Sequence, residues 1–418
     1  MVEYSKLTVT EPGFETTDRM QDWRQAIQIP TAYRIGNSTV RLQNQFVMGV
    51  LAVGVIALVM FYNSVSHSKP HNPYMLEKRI PTNYESDHLH KHNLPEPKLN
   101  TYNSTYPFTT PVRTEKGVRY KIAIISDLDT NSKKNDEWIS YLKTGSLFVD
   151  VENNKVSLEW DKDELVTLKT SLAQGGRGME LSELVVFNGA LLGFDDRTGT
   201  IYQIDIASKF AFPWVLLVDG HGRVAKGFKS EWATVKDQTL YVGGLGKAWT
   251  TPTGELVNYH PQYIKKISPT GEVSHIDWHT RYEKLAKTVD ISFPGYIIHE
   301  SVSWSSVHKR WFFLPRRESK DRYDEKLDES RGTNLMLTAD EEFSDIKAKR
   351  IGDISPTHGF SSFKFVPNTH DKLIVALKSE ENQGKTASFI MAFDIDGQIL
   401  LPETKIDGDF KYEGIEFI

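Results

Sequence analysis

The chain contains no cysteine, which removes thiol nucleophiles, thiolate zinc sites and disulfide staples together. That does not exclude an oxidising compartment, because a core of this size needs no disulfide. A net basic field is also missing. Against 55 Asp+Glu stand 50 Lys+Arg, a formal charge of −5, so nucleic acid is not the expected partner and basic chemistry has to be local. Helical periodicity is scarce, confined to short stretches at 136–143 and 282–287. There is no G-x-S-x-G elbow, no HExxH and no alternation of strand and helix. Gly243-Gly244-Leu245-Gly246-Lys247 lacks the spacing of a phosphate loop and reads as a strand and its turn.

Long apolar runs are missing too, with one exception. Residues 46–62, FVMGVLAVGVIALVMFY, carry no charge and span about 25 Å as a helix. The polar residues before them are too many for a signal peptide, so an uncleaved signal anchor is expected. The folded body lies C-terminal to it, and Asn103-Ser104-Thr105 there is a permitted glycosylation acceptor. The expected layout is a cytosolic tail (1–45), a single transmembrane helix (46–62), a flexible lumenal stem (63–114) and one large domain (115–418). The short span fits the thinner membranes of the early secretory pathway. In the stem, prolines and the His88, His90 and His92 cluster around Lys91 read as solvated linker rather than as a metal site.

After Arg119 the chain is built of short Val-, Ile-, Phe-, Trp- and Tyr-rich runs broken by Gly, Asp and Asn. Strand pairs recur from Ser182 (SELVVFNGALLGFDDR), Glu231, Glu300 and Ser361, and a single strand from Glu413 ends the chain; the starts lie 49, 69, 61 and 52 residues apart. These spacings fit four-stranded antiparallel units. A lone last strand lacks partners in an open sandwich, but in a ring it can complete the unit begun at 120–125. The expected fold is therefore all-β, a five-bladed β-propeller, with a pair of β-sandwiches as the alternative.

Equivalent repeats place Ser182, Glu231, Glu300, Ser361 and Glu413 at one register facing the axis. Three carboxylates that close require a cation, and hard oxygen donors without Cys or His favour Ca²⁺. Arg197, Lys247, Arg316 and Lys378 follow these positions by 15, 16, 16 and 17 residues, so they crowd the same mouth, with Arg177, Lys229 and Arg317 near in sequence. Asp127, Asp129, Asp195 and Asp196 add carboxylates. A cation, basic groups and water-orienting carboxylates describe metal-assisted phosphohydrolysis. A non-enzymatic propeller whose calcium only rigidifies the ring is the competing class.

The segments Ser126-Asp127-Leu128-Asp129-Thr130, Gly176-Arg177-Gly178-Met179-Glu180-Leu181-Ser182, Phe194-Asp195-Asp196-Arg197-Thr198-Gly199, Gly227-Phe228-Lys229-Ser230-Glu231-Trp232, Phe312-Phe313-Leu314-Pro315-Arg316-Arg317, Thr357-His358-Gly359-Phe360-Ser361-Ser362 and the terminal KYEGIEFI from Lys411 closely resemble the calcium-activated nucleotidase, or calcium-dependent apyrase, family. The resemblance covers about residue 101 onward. It implies a five-bladed propeller with Ca²⁺ in its tunnel that hydrolyses nucleoside di- and triphosphates. Membrane-anchored members prefer UDP and GDP in the endoplasmic reticulum and Golgi, which supports glycosylation and proteoglycan synthesis. Secreted relatives act on ATP and ADP. The implied calcium ligands are Ser182, Glu183, Glu231, Glu300, Ser361 and Glu413, with Asp129 and Arg316 important for activity. Arg177, Asp196, Arg197, Lys229, Lys247 and Arg317 are the expected substrate contacts and Asn103 the glycan acceptor. A type II membrane protein, monomeric or weakly dimeric and open to release by stem cleavage, completes the expectation.

Overall fold

The computed structural model describes residues 32–35, 38–41, 102–150, 152–162 and 165–418. Ala32–Ile35 and Ser38–Arg41 pair as an antiparallel hairpin within a unit, Met1–Asn93, distinct from the body Leu94–Ile418. The apolar run 46–62 and the His cluster at 87–92 lie outside the described residues. Among the described residues no helix is long and apolar enough to cross a membrane.

In the body, period-two apolar runs joined by tight turns give antiparallel meanders. The second sheet runs Leu181–Phe187, Ala190–Asp195, Thr200–Asp205, Phe210–Leu216 from inside outward. Its first hairpin turns on Asn188 and Gly189, at φ 47° and 76°, the left-handed pair that a two-residue turn requires. The third sheet starts at Trp232–Lys236, the fourth at Val302–Ser305 and the fifth at His358–Phe365, each with four strands in chain order. The first sheet joins both ends of the body: Lys411–Phe417 pairs with Gly117–Asp127, which pairs with Glu137–Asp150. Leu181–Phe187 packs on Lys411–Phe417 and on Trp232–Lys236. Val302–Ser305 touches Trp232–Lys236 and His358–Phe365, and the latter touches Lys411–Phe417. The architecture is all-β and propeller-like.

Apolar residues fill the wedges between neighbouring sheets. Ile122, Ile124, Val375, Leu377, Ile415 and Phe417 pack between the fifth and first, and Trp232, Trp278, Trp304, Trp311 and Phe313 between the third and fourth. Each such side chain contributes about 1.5–3 kcal/mol of burial.

Two expectations are corrected. Residues 136–143 are not helical but belong to the strand Glu137–Asp150, because pairing on both sides with Gly117–Asp127 and Val166–Thr170 overrides a weak local preference. The second stretch, 282–287, does fall in a helix, His279–Lys287. From Tyr102 onward the expected stem is docked across the end of the body where Asn188 turns. Asn103 N donates to Asn188 Oδ1 at 2.8 Å, Tyr106 Oη to Glu416 at 2.9 Å and Thr109 Oγ1 to the Ile418 carbonyl at 2.6 Å. Asn103 itself is exposed there.

Candidate active site

At the opposite end, where the innermost strands begin, a well of about 660 Å³ opens. The five register positions read from the sequence share a backbone device. In the second sheet Glu183 faces Phe194 and Leu181 faces Asp195, leaving Ser182 as the extra residue of a β-bulge. Ser361, between Phe360 and Ser362, and Glu413, between Tyr412 and Gly414, are skipped in the same way. Near Glu300, Arg316 N donates to the Ile298 carbonyl and Leu314 N to that of Ser301, so His299 and Glu300 together face Pro315. Glu231 N bonds the Gly243 carbonyl, while Gly243 also faces Trp232. A bulge leaves its extra residue outside the ladder and re-aims it.

The atoms offered differ. Glu231, Glu300 and Glu413 line the well. The hydroxyls of Ser182 and Ser361 instead donate sideways, to the carbonyls of Ser230 and Tyr412. Each clasps the residue before the carboxylate of the adjoining innermost strand. Three of the five expected side chains, Glu231, Glu300 and Glu413, therefore line the well, while the two serine hydroxyls face neighbouring carbonyls and do not line it. Glu183 lies outside the well. Its Oε1 accepts from Leu184 N (2.8 Å), Ser362 Oγ (2.8 Å) and Lys364 Nζ (3.0 Å), because one step along a strand reverses the face.

Arg316 is buried against the carboxylates, its Nη1 at 2.5 Å from Glu300 and 2.8 Å from Glu413. Lys229 pairs with Asp196 and lies 2.7 Å from Glu231. Asp129 sits at φ 47°, a left-handed conformation that Asp tolerates, held by its N–H on Asp127 Oδ1 at 2.8 Å. Its carboxylate is partly exposed, 2.7 Å from Lys411 and 3.2 Å from Arg177. Arg197 and Arg317 stand on the wall. Lys247 also lines it, but its Nζ donates to the Ala248 carbonyl and Thr250 Oγ1 and lies 4.2 Å from the Tyr323 ring. Burial lowers its pKa to about 8. Lys378 is outside the well, bonded to Glu403 at 2.8 Å. Asp195 is a buried brace, accepting from the backbone of Met179, Arg197 and Thr198.

Sequence reasoning missed Lys411 and Glu180 as site residues and counted Asp127 only among the water-orienting carboxylates. Lys411 is buried and lies 2.8 Å from Asp127 and 3.7 Å from Glu413. Glu180 bonds Arg177 Nε at 2.7 Å and lies 3.6 Å from Arg197. Asp127, Asp129 and Glu180 each bring one oxygen within 4.8 Å of the others. The signal was available: Glu180, Lys229 and Lys411 each precede a bulge residue by two positions, which keeps a strand residue on the same face.

Acidic side chains outnumber basic ones along this well. Burial drives Glu231 up to about 8, the nearby Lys229 only partly countering it while Glu300 and Asp196 repel. Burial likewise raises Glu413 and Asp196, and Asp196 Oδ1 has no hydrogen-bond partner among the described residues. One ammonium, Lys229, is shared between Asp196 and Glu231, and burial still leaves both carboxyls raised. A divalent cation with a preference for oxygen fits the donor set.

A propeller-like scaffold holding clustered carboxylates, buried guanidinium and ammonium groups and an accessible aspartate defines a hydrolase for anionic substrates. The chain belongs to the apyrase family, the nucleoside phosphohydrolases whose sequence profile matches residues 127–418. It is 55% identical over 331 residues to "Soluble calcium-activated nucleotidase 1" of Rattus norvegicus, covering 79% of this chain and 81% of that one. The mouse protein of the same name is 54% identical over 81% of this chain and 84% of its own. An "Apyrase" of Cimex lectularius is 42% identical, with 93% of this chain and 100% of that one covered.

Proposed function

We propose that the protein is a calcium-dependent nucleoside diphosphatase acting first on UDP and GDP, built on a closed propeller of five blades. The sheet shared by the two ends of the body supplies the fifth blade. Glu231, Glu300 and Glu413, with main-chain oxygens at Ser182 and Ser361, would hold the cation. The observation that carries this is the cluster of buried carboxyls in the well, where a single ammonium, Lys229, serves both Glu231 and Asp196 and Asp196 Oδ1 keeps no partner among the described residues, in a chain similar to proteins named calcium-activated nucleotidases.

When bound, Ca²⁺ supplies charge neutralisation for phosphate oxygens. Arg177, Arg197, Lys229 and Arg317 orient the non-bridging oxygens, and Arg316 faces the developing charge. Asp129, partly exposed and fixed by Lys411 and Arg177, accepts the proton of the attacking water and places it in line with the terminal phosphorus. Products are inorganic phosphate and the nucleotide one phosphate shorter.

The reading extends to place. Residues 46–62 anchor the chain as a type II protein of the endoplasmic reticulum and Golgi, with Asn103 glycosylated and the body lumenal. Removal of UDP and GDP left by glycosyl transfer supports glycosylation and proteoglycan synthesis. The exposure of Asn103 supports this. The test is phosphate release by the full chain from UDP, GDP, ADP and ATP, with millimolar Ca²⁺, with Mg²⁺ alone and with chelator. Calcium-dependent release favouring UDP and GDP is expected. Preference for ATP and ADP would replace it with an extracellular apyrase, and no release from folded protein would leave a binding module.

A further inference from the structure

In the fifth sheet the second and third strands, Leu373–Asn382 and Lys385–Asp394, are ten residues long, whereas the second strand of the second, third and fourth sheets has four to six. Pairing with the innermost strand ends where His358 faces Glu380. The hairpin continues through Glu381, opposite Thr386, to a turn at Gln383 and Gly384 with φ 52° and 75°, the left-handed pair that a two-residue turn requires. The extra length overhangs the well. Gln383 N donates to Glu329 Oε2 at 2.9 Å, tying the tip to the wall, and Glu329 and Glu381 both line the well. Neighbouring side chains of a strand take opposite faces. Glu380 accordingly turns to His358, 3.8 Å from its Nε2, and Glu381 to the well.

There Glu381 meets two cations on which the proposed chemistry depends. Its Oε2 lies 3.4 Å from Arg316 Nη2 and 3.8 Å from Lys411 Nζ. Arg316 is otherwise drawn inward through its other terminal nitrogen, Nη1, by Glu300 and Glu413. Lys411 is drawn the same way by Asp127 and Glu413. A guanidinium is a rigid planar fork, so a group held through one nitrogen can turn about that contact and a group held through both cannot. Lys411 in turn holds Asp129 at 2.7 Å. The Glu381 side chain is 44% exposed, and ion pairs this exposed contribute little to stability. What its carboxylate adds is direction.

We propose that Glu381 is a positioning residue of the hydrolysis: from the mouth of the well it aims the outward nitrogen of Arg316 at the phosphate being transferred and, through Lys411, keeps Asp129 on the attacking water. The inference rests on the proposed hydrolysis and adds a residue outside the carboxylates assigned to the cation. Glu381 carries the same sign of charge as the substrate, so its loss does not weaken substrate binding.

The experiment measures phosphate release from UDP by the full chain in Ca²⁺ for the wild type, Glu381→Gln and Glu380→Gln, with the melting temperature and calcium midpoint of each. Glu380→Gln removes the same charge from the same hairpin on the face turned to His358. In Glu381→Gln, kcat falls about tenfold while KM stays the same or drops, the pattern of a group misplaced in the transition state rather than of lost binding. Melting temperature and calcium midpoint stay at wild-type values, and Glu380→Gln keeps wild-type kcat. Unchanged kcat in Glu381→Gln, an equal loss in Glu380→Gln, or a loss accompanied by a lower melting temperature overturns the inference. So does a raised calcium midpoint, which would make Glu381 a cation ligand, or a rise in KM alone, which would make it a binding contact. Absence of phosphate release by folded wild-type chain overturns the proposed hydrolysis instead.

Discussion

Ser182 and Glu231 occupy like positions at the start of adjoining innermost strands, yet they offer different atoms. The Ser182 hydroxyl is spent on the Ser230 carbonyl, so Ser182→Ala should cost about 1 kcal/mol of stability and leave the calcium midpoint of activity within twofold. Glu231→Gln removes a carboxylate and should raise that midpoint at least tenfold, with activity falling alongside. A calcium titration of both variants checks this, and equal shifts would mean that the serine hydroxyl is the ligand. Lys411 is the other residue whose role only the structure shows, since its ammonium holds Asp127, Asp129 and Glu413 together. Lys411→Met leaves those carboxylates facing one another and should cost about 3–5 kcal/mol, with kcat down about a hundredfold as Asp129 loses its placement. Lys411→Arg keeps the charge and should recover melting temperature more than turnover. Recovery of both in parallel would reduce Lys411 to a structural counter-ion.

Strand order and the joining of the two chain ends were legible in the sequence, because alternating apolar runs and Asn-Gly turns are local signals and the lone strand from Glu413 demanded a partner. The bulges were not, since a bulge is a mismatch in count between two strands and appears only when both are laid side by side. That is why the repeat lines up Ser182, Ser361 and Glu413 along the chain but does not tell where the two hydroxyls point or which face Glu183 takes. Residues 136–143 failed for a related reason, as their strand character comes from neighbours on both sides. The strand Tyr263–Ile267 carries a further consequence that no local pattern announces. Its Lys265 is buried, facing the Gly220 carbonyl, His275 Nδ1 at 3.0 Å and the Phe228 ring at 4.6 Å. Burial lowers its pKa to about 8 from 10.5, with Asp219 opposing. Between those values the unfolded chain binds the proton that the folded chain has lost, so this group's contribution to stability rises with pH from about 8 to 10.5 and is flat at its lowest below that window. Lys265→Met should lack this rise. The melting temperature of the wild type relative to the variant should therefore rise as pH increases from 8 to 10, and a constant difference would show that Lys265 stays charged in the fold.

At the scale of the whole molecule, the first and last strands of the body share one sheet, so the C-terminus is part of the core. Ile415 and Phe417 are fully buried, Lys411–Phe417 pairs along Gly117–Asp127, and the segment from Tyr102 is pinned to Glu416 and Ile418. Removing 413–418 takes away Ile415, Phe417 and Ile418, about 5–9 kcal/mol of burial, and strips four of the six pairs from one edge of a central strand. Against a total stability of about 5–15 kcal/mol, that loss should abolish the cooperative melt rather than lower it. Tyr106→Phe is the measured contrast: it deletes only the hydroxyl that reaches Glu416 and should cost about 1–3 kcal/mol with the melt still cooperative. A truncated chain melting cooperatively near the full-length temperature would mean that the sheet beginning at Gly117 is complete without its last strand, and the ring argument for the fold would fall with it.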